Sequence, residues 1–113
     1  METLLVITTL PDAPSARALA AHLVEMRLAA CASLLAPCRS VYRWEERVED
    51  AEEVPLLIKT AADRYPAVEA AILERHPYEL PEIVAVPVTQ GLPAYLGWVM
   101  AETRPADLPT RIT

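Results

Sequence analysis

The chain has 113 residues, 53% of them hydrophobic, and its sixteen acidic against ten basic side chains give a net charge of −6. That balance speaks against sequence-independent nucleic-acid binding, which needs lysine and arginine to displace counterions from phosphate, and against an anionic membrane surface. The length allows one core and no second, and a positive mean hydropathy in so small a chain points to apolar surface covered by other subunits.

No apolar run approaches the roughly 20 residues of a membrane-spanning helix. The opening METLLVITTLPDAP lacks a basic leader, so no signal peptide is expected. Two cysteines, Cys31 and Cys38, are too few for a disulfide framework, which makes a reducing cytoplasm the expected location.

Thr3 to Thr9 is rich in β-formers and ends at Leu10-Pro11-Asp12, so it reads as a buried strand and a turn. Asp12 is the expected N-cap of a helix with Pro14 in its first turn. Ala16, Leu19, Ala20, Leu23 and Met26 recur at helical spacing and carry that helix to about Ala29, with His22 on the solvated side. Residues 30–44 form a second extended segment, Tyr42 and Trp44 on one face and Val41 and Arg43 on the other, with a bulge or edge position at Pro37. The acidic run from Glu45 to Glu53 reads as a solvated hairpin, and Val54 to Thr60 as a third strand.

Asp63 is expected to cap a second helix, with Tyr65, Val68 and Ile72 facing inward. Pro77 forces His76 out of helical geometry and ends it. Ile83 to Val88 is a fourth strand, and a last helix runs from Pro93 to Thr103. The order β-α-β-β-α-β plus one helix predicts an α+β, ferredoxin-like split βαβ fold, an antiparallel sheet with helices on one face. Residues 1–103 are expected to form a single domain and 104–113 a loosely ordered tail.

Catalytic signatures are absent. The chain holds no GxGxxG, Walker loop, HExxH, CxxC or GxSxG, and only two glycines, Gly91 and Gly97. Cys31, His76, Glu79 and Glu82 offer the three ligand types that a borderline cation uses, although their spacing matches no closed site within one chain. A symmetric oligomer could bring such ligands together. Against this stand plainer readings: Cys31 as a small buried hydrophobe, His76 as a helix-terminal residue, Tyr42 and Trp44 as core or interface. Cys38, beside Pro37, is the thiol expected to be exposed.

The strings LAACASLL (28–35), SVYRWEERVE (40–49), LLIKT (56–60), HPYELPEIVAVPV (76–88) and PAYLGWV (93–99) together resemble the CutA family of divalent-cation tolerance proteins. The resemblance implies a ferredoxin-like subunit in a tight cytoplasmic homotrimer, without enzymatic activity, that binds Cu(II) or another divalent cation. Cys31 of the AAC motif and His76 of the HPY motif are the metal positions it implies. Tyr42, Trp44, Lys59, Tyr78, Glu79 and Glu82 would line a cleft between subunits. The build is similar to PII-type signalling proteins, so an alternative is a trimer sensing a small molecule in that cleft. Where members often carry Pro-Gly before the SVYRW strand, this chain has Ala36-Pro37-Cys38.

Overall fold

The TLLVITTL run makes strand β1 (Thr3–Leu10) one of the two inner strands of the sheet, because its β-branched and aliphatic side chains suit a strand paired on both edges. The computed structural model describes residues 2–105. After β1 come α1 (Ala13–Glu25), β2 (Cys31–Leu34), β3 (Cys38–Trp44), β4 (Arg47–Ala61), α2 (Tyr65–Arg75), β5 (Val84–Val88) and α3 (Pro93–Glu102). All pairings are antiparallel, in the order β2-β4-β1-β5. The first and second strands of the α1 crossover are thus parallel but separated by β4, which is the predicted ferredoxin-like split βαβ arrangement.

Alternation along the sheet decides what each face does. Val6, Leu10, Leu56 and Ile58 point to the helices and pack with Leu19 and Leu23 of α1 and Val68 and Ile72 of α2. Each such burial stabilises the fold by about 1.5–3 kcal/mol. The opposite face carries Leu5, Ile7, Leu57, Val84 and Val86, in register across β4, β1 and β5. Both valines are nearly half exposed, at 48% and 47%. Among the described residues no helix is long and apolar enough to cross a membrane.

The expected bulge at Pro37 is present. Leu34 faces Leu56 and Cys38 faces Glu53, so the three residues 35–37 stand against the two residues 54 and 55. Pro37 and Pro55 have no amide hydrogen to donate, and the Leu35 N–H reaches the Pro55 carbonyl at 3.0 Å. One extra residue shifts the parity of everything after it. Ala32 and Leu34 face the helices, whereas Ser40, Tyr42 and Trp44 share the side of Ala51 and Glu53. Beyond the bulge β3 and β4 run on as a two-stranded arm. The 15 residues of β4 span about 50 Å at strand rise, and the molecule is 57 Å long by 28 and 23 Å.

Several expectations are corrected. The acidic run belongs to a hairpin as expected, but its turn is confined to Glu45 and Glu46, both at positive φ, and the strand begins at Arg47 and not at Val54. Its charges fall on both faces of a ribbon wetted on most sides. Helix α1 ends at Glu25, not near Ala29, because Arg27 takes a left-handed φ of 58°. Leu28 to Ala30 prolong the apolar pattern since they are buried or half-buried outside any helix, and Met26 is 57% exposed. The Arg27 guanidinium donates to the Arg104 carbonyl (2.9 Å) and the Ala101 carbonyl (3.3 Å), so the strained residue also caps α3. His22 is half-buried instead of fully solvated.

Asp12 caps α1 as expected, accepting the Ser15 N–H at 2.8 Å. Asp63 does not cap α2. It lies in a 3-10 turn (Ala62–Arg64), and its carboxylate takes a two-pronged contact from Arg104 at 2.9 and 2.8 Å. That hydrogen-bonded guanidinium holds the Asp63 carboxyl below the usual aspartate range. Residues 106–113 of the expected tail lie outside the described residues.

Candidate functional site

Pro77 stops α2, and His76 at its end is extended (φ −79°, ψ 136°), which turns its imidazole back over the sheet. The residue is 9% exposed. Its Nε2 lies 2.7 Å from the Thr9 carbonyl oxygen, and its Nδ1 is 3.1 Å from the Tyr78 amide nitrogen. A carbonyl only accepts and an amide N–H only donates, so a single tautomer serves both, with the proton on Nε2. His76 therefore pins the 76–82 turn to the end of β1.

The pin places Tyr78, whose ring lies 4.7 Å from the imidazole. The Tyr78 hydroxyl donates to Glu53 Oε2 at 2.9 Å across the cleft between turn and arm. Burial first, then the Glu53 hydrogen bond and the negative charges of Glu53, Tyr42 and Asp12, push the phenol up to about 12. A folded pKa above the unfolded value of about 10 means that the neutral phenol stabilises the fold fully below pH 10. That contribution is lost as pH rises through about 12. In a spectroscopic titration, the phenolate step near pH 12 should vanish in Tyr78→Phe; its persistence would assign the step to another tyrosine.

The cleft holds about 970 Å³ and is lined by Thr9, Ser40 to Trp44 and Ala51 and Glu53 on one side, and by residues 77–82 on the other. Of the expected cleft residues, Tyr42, Trp44, Tyr78, Glu79 and Glu82 are brought together here. Lys59 is not. It faces Cys31 in the β2–β4 register, its Nζ 3.9 Å from the thiol. Cys31 is half-buried and Cys38 exposed. Cys31 sits at the Lys59 level and the carbonyl bound by His76 at the Pro55 level, on opposite sides of β4. Four residues of strand separate those levels by about 13 Å, so one chain does not bring the two implied ligands together. Among the described residues no three His, Cys, Asp or Glu side chains stand close enough to hold a cation.

Glu53 was not singled out by the sequence, where it closes an acidic run. Its one signal is position: it is the last charge before the apolar VPLLI strand, and it ends up 7% exposed.

Residues 4–102 match the family model of the CutA1 divalent ion tolerance protein. The chain is 40% identical over 98 residues to the divalent-cation tolerance protein CutA of Thermus thermophilus, covering 87% of this chain and 95% of that one. The crystal structure of CutA from Xylella fastidiosa superposes with a TM-score of 0.89 at 42% identity, over 92% of this chain and all (100%) of that one. A periplasmic divalent cation tolerance protein CutA from Archaeoglobus fulgidus is similar at 29% identity and a TM-score of 0.88, over 90% of this chain and 99% of that one.

Proposed function

Because the chain belongs to the CutA1 family of divalent ion tolerance proteins, we propose that it is a cytoplasmic homotrimer that binds divalent cations, Cu(II) among them, between its copies. No catalytic step is assigned to it. The observation that carries this reading is the sheet face turned away from α1 and α2. Leu5, Ile7, Leu57, Val84 and Val86 make it apolar, and Cys31 lies at its β2 margin on the same side. A second copy on that face would cover the valines and approach the thiol. A thiolate and an imidazole suit Cu(II) better than carboxylates alone do. Cys31 is available as it stands. His76 joins through Nδ1 only by releasing the Tyr78 amide.

Calorimetry with Cu(II) tests the ligands. The wild-type chain should bind saturably and more weakly as acid competes for the ligands. A Cys31→Ala, His76→Ala double variant should lose at least about tenfold in affinity. An unchanged isotherm removes both residues from the proposal.

A second reading, a signalling trimer that senses a small molecule, is favoured by the size and aromatic lining of the arm–turn cleft. A metabolite that raises the melting temperature in the presence of chelator would support it.

A further inference from the structure

We propose that the cleft between the arm and the 77–82 turn receives a small organic cation, an alkylammonium with N–H donors and a short apolar stem. The inference rests on the second reading above and names its ligand class. Three carboxylates line the cleft, those of Glu53, Glu79 and Glu82, against one cationic group, Arg43. The ion pairs among the described residues are Arg39–Asp50, Arg47–Glu49 and Arg104–Asp63, and none of them neutralises a cleft carboxylate.

Glu53 is the decisive group. It is 93% withdrawn from solvent yet receives, among the described residues, one hydrogen bond, and that comes from a neutral phenol on Oε2. A hydroxyl supplies a dipole and no charge, and the second oxygen keeps contact with the solvent of the cleft, where an entering cation can reach it. Beside it stand Tyr42 and Trp44, 44% and 36% exposed and turned to the cleft by the bulge. Aromatic faces attract ammonium groups and cover alkyl stems. A bare divalent ion needs its ligands within one coordination shell, and the carboxylates here do not converge that way. An organic cation spreads its contacts over several ångströms: head to Glu53, stem against the rings, a second amine toward Glu79 or Glu82.

The test uses the full chain with chelator present and follows n-butylamine, putrescine and n-butanol by calorimetry and ligand-observed NMR. Both amines should bind saturably, and n-butanol at least about tenfold more weakly, since it keeps the stem and lacks the charge. Glu53→Gln should cost the amines about tenfold or more. Trp44→Ala, on the exposed arm, should weaken them by a smaller factor and guards against a folding defect in the Gln variant. Equal binding of amine and alcohol, wild-type affinity in Glu53→Gln, or no saturable amine binding overturns the proposal. If the amines fail while an anionic or neutral metabolite raises the melting temperature, the second reading stands and this ligand class falls.

Discussion

Val86→Glu is expected to sediment at the chain mass of 12.4 kDa while the unaltered chain sediments at three times that value. Val86 lies on β5 opposite Leu5, on the sheet face away from the core helices, and is 47% exposed in the single chain. Its side chain is not part of the buried cluster between sheet and helices, so the subunit should keep its circular dichroism spectrum. An ionised carboxylate pressed into an apolar interface without a partner costs about 3–4 kcal/mol. At roughly tenfold per 1.4 kcal/mol this weakens each contact by a hundredfold or more, and a closed trimer suffers it at every interface. A Val86→Glu chain that still runs as a trimer would show that another surface makes the assembly. A wild-type chain that is monomeric at micromolar concentration would end the trimer proposal outright.

His76→Ala should lower the melting temperature by about 10 °C or more, measured at fixed protein concentration and with chelator present. The imidazole is buried and joins the Thr9 carbonyl to the Tyr78 amide, so its loss strands one acceptor and one donor and leaves a void. Each broken hydrogen bond costs about 1 kcal/mol, and the stranded buried groups and the void bring the total to about 3 kcal/mol. His76→Gln, whose amide N–H still reaches for the carbonyl, should lose less. The chelator matters to the reading. A His76→Ala defect that appears only in Cu(II)-loaded protein would make the residue a metal ligand and not a pin.

The sequence reached the fold because its punctuation is local. Asp12, Pro14, Pro66 and Pro77 mark helix ends through constraints that act within one turn, and the strand–helix order then selects the split βαβ topology. Misreadings came where a distant contact decides. Arg27 holds a left-handed turn with no glycine because Ala101 and Arg104 accept its guanidinium from over seventy residues away. Asp63 looked like a cap and is claimed by Arg104. The hairpin was expected but its second strand was placed from Val54, because a ribbon exposed on most sides needs no apolar alternation and residues 47–53 carry none. At the site, the crowd of ionisable groups in HPYELPE was visible; the family resemblance set it with Tyr42 and Trp44 in a cleft between subunits, whereas a single chain brings these residues to one cleft by itself. The direction of the His76 nitrogens was not visible, since both partners are backbone atoms, and neither was Glu53, whose role depends on a register that no local pattern reveals.

The central place of β1 has a consequence for biosynthesis. Thr3 to Leu10 are made before the other strands of the sheet, yet their hydrogen-bonding partners are residues 54–61 and then 84–88. Until β4 is made, the first strand has no neighbour on either edge, and until Val88 is made it keeps one edge bare. Pairing on the second edge of β1 thus waits for residues 84–88, and TLLVITTL has a bare edge until then. Such a segment is an invitation to pair with another copy emerging nearby. Slow elongation between residues 10 and 54 would lengthen that exposure.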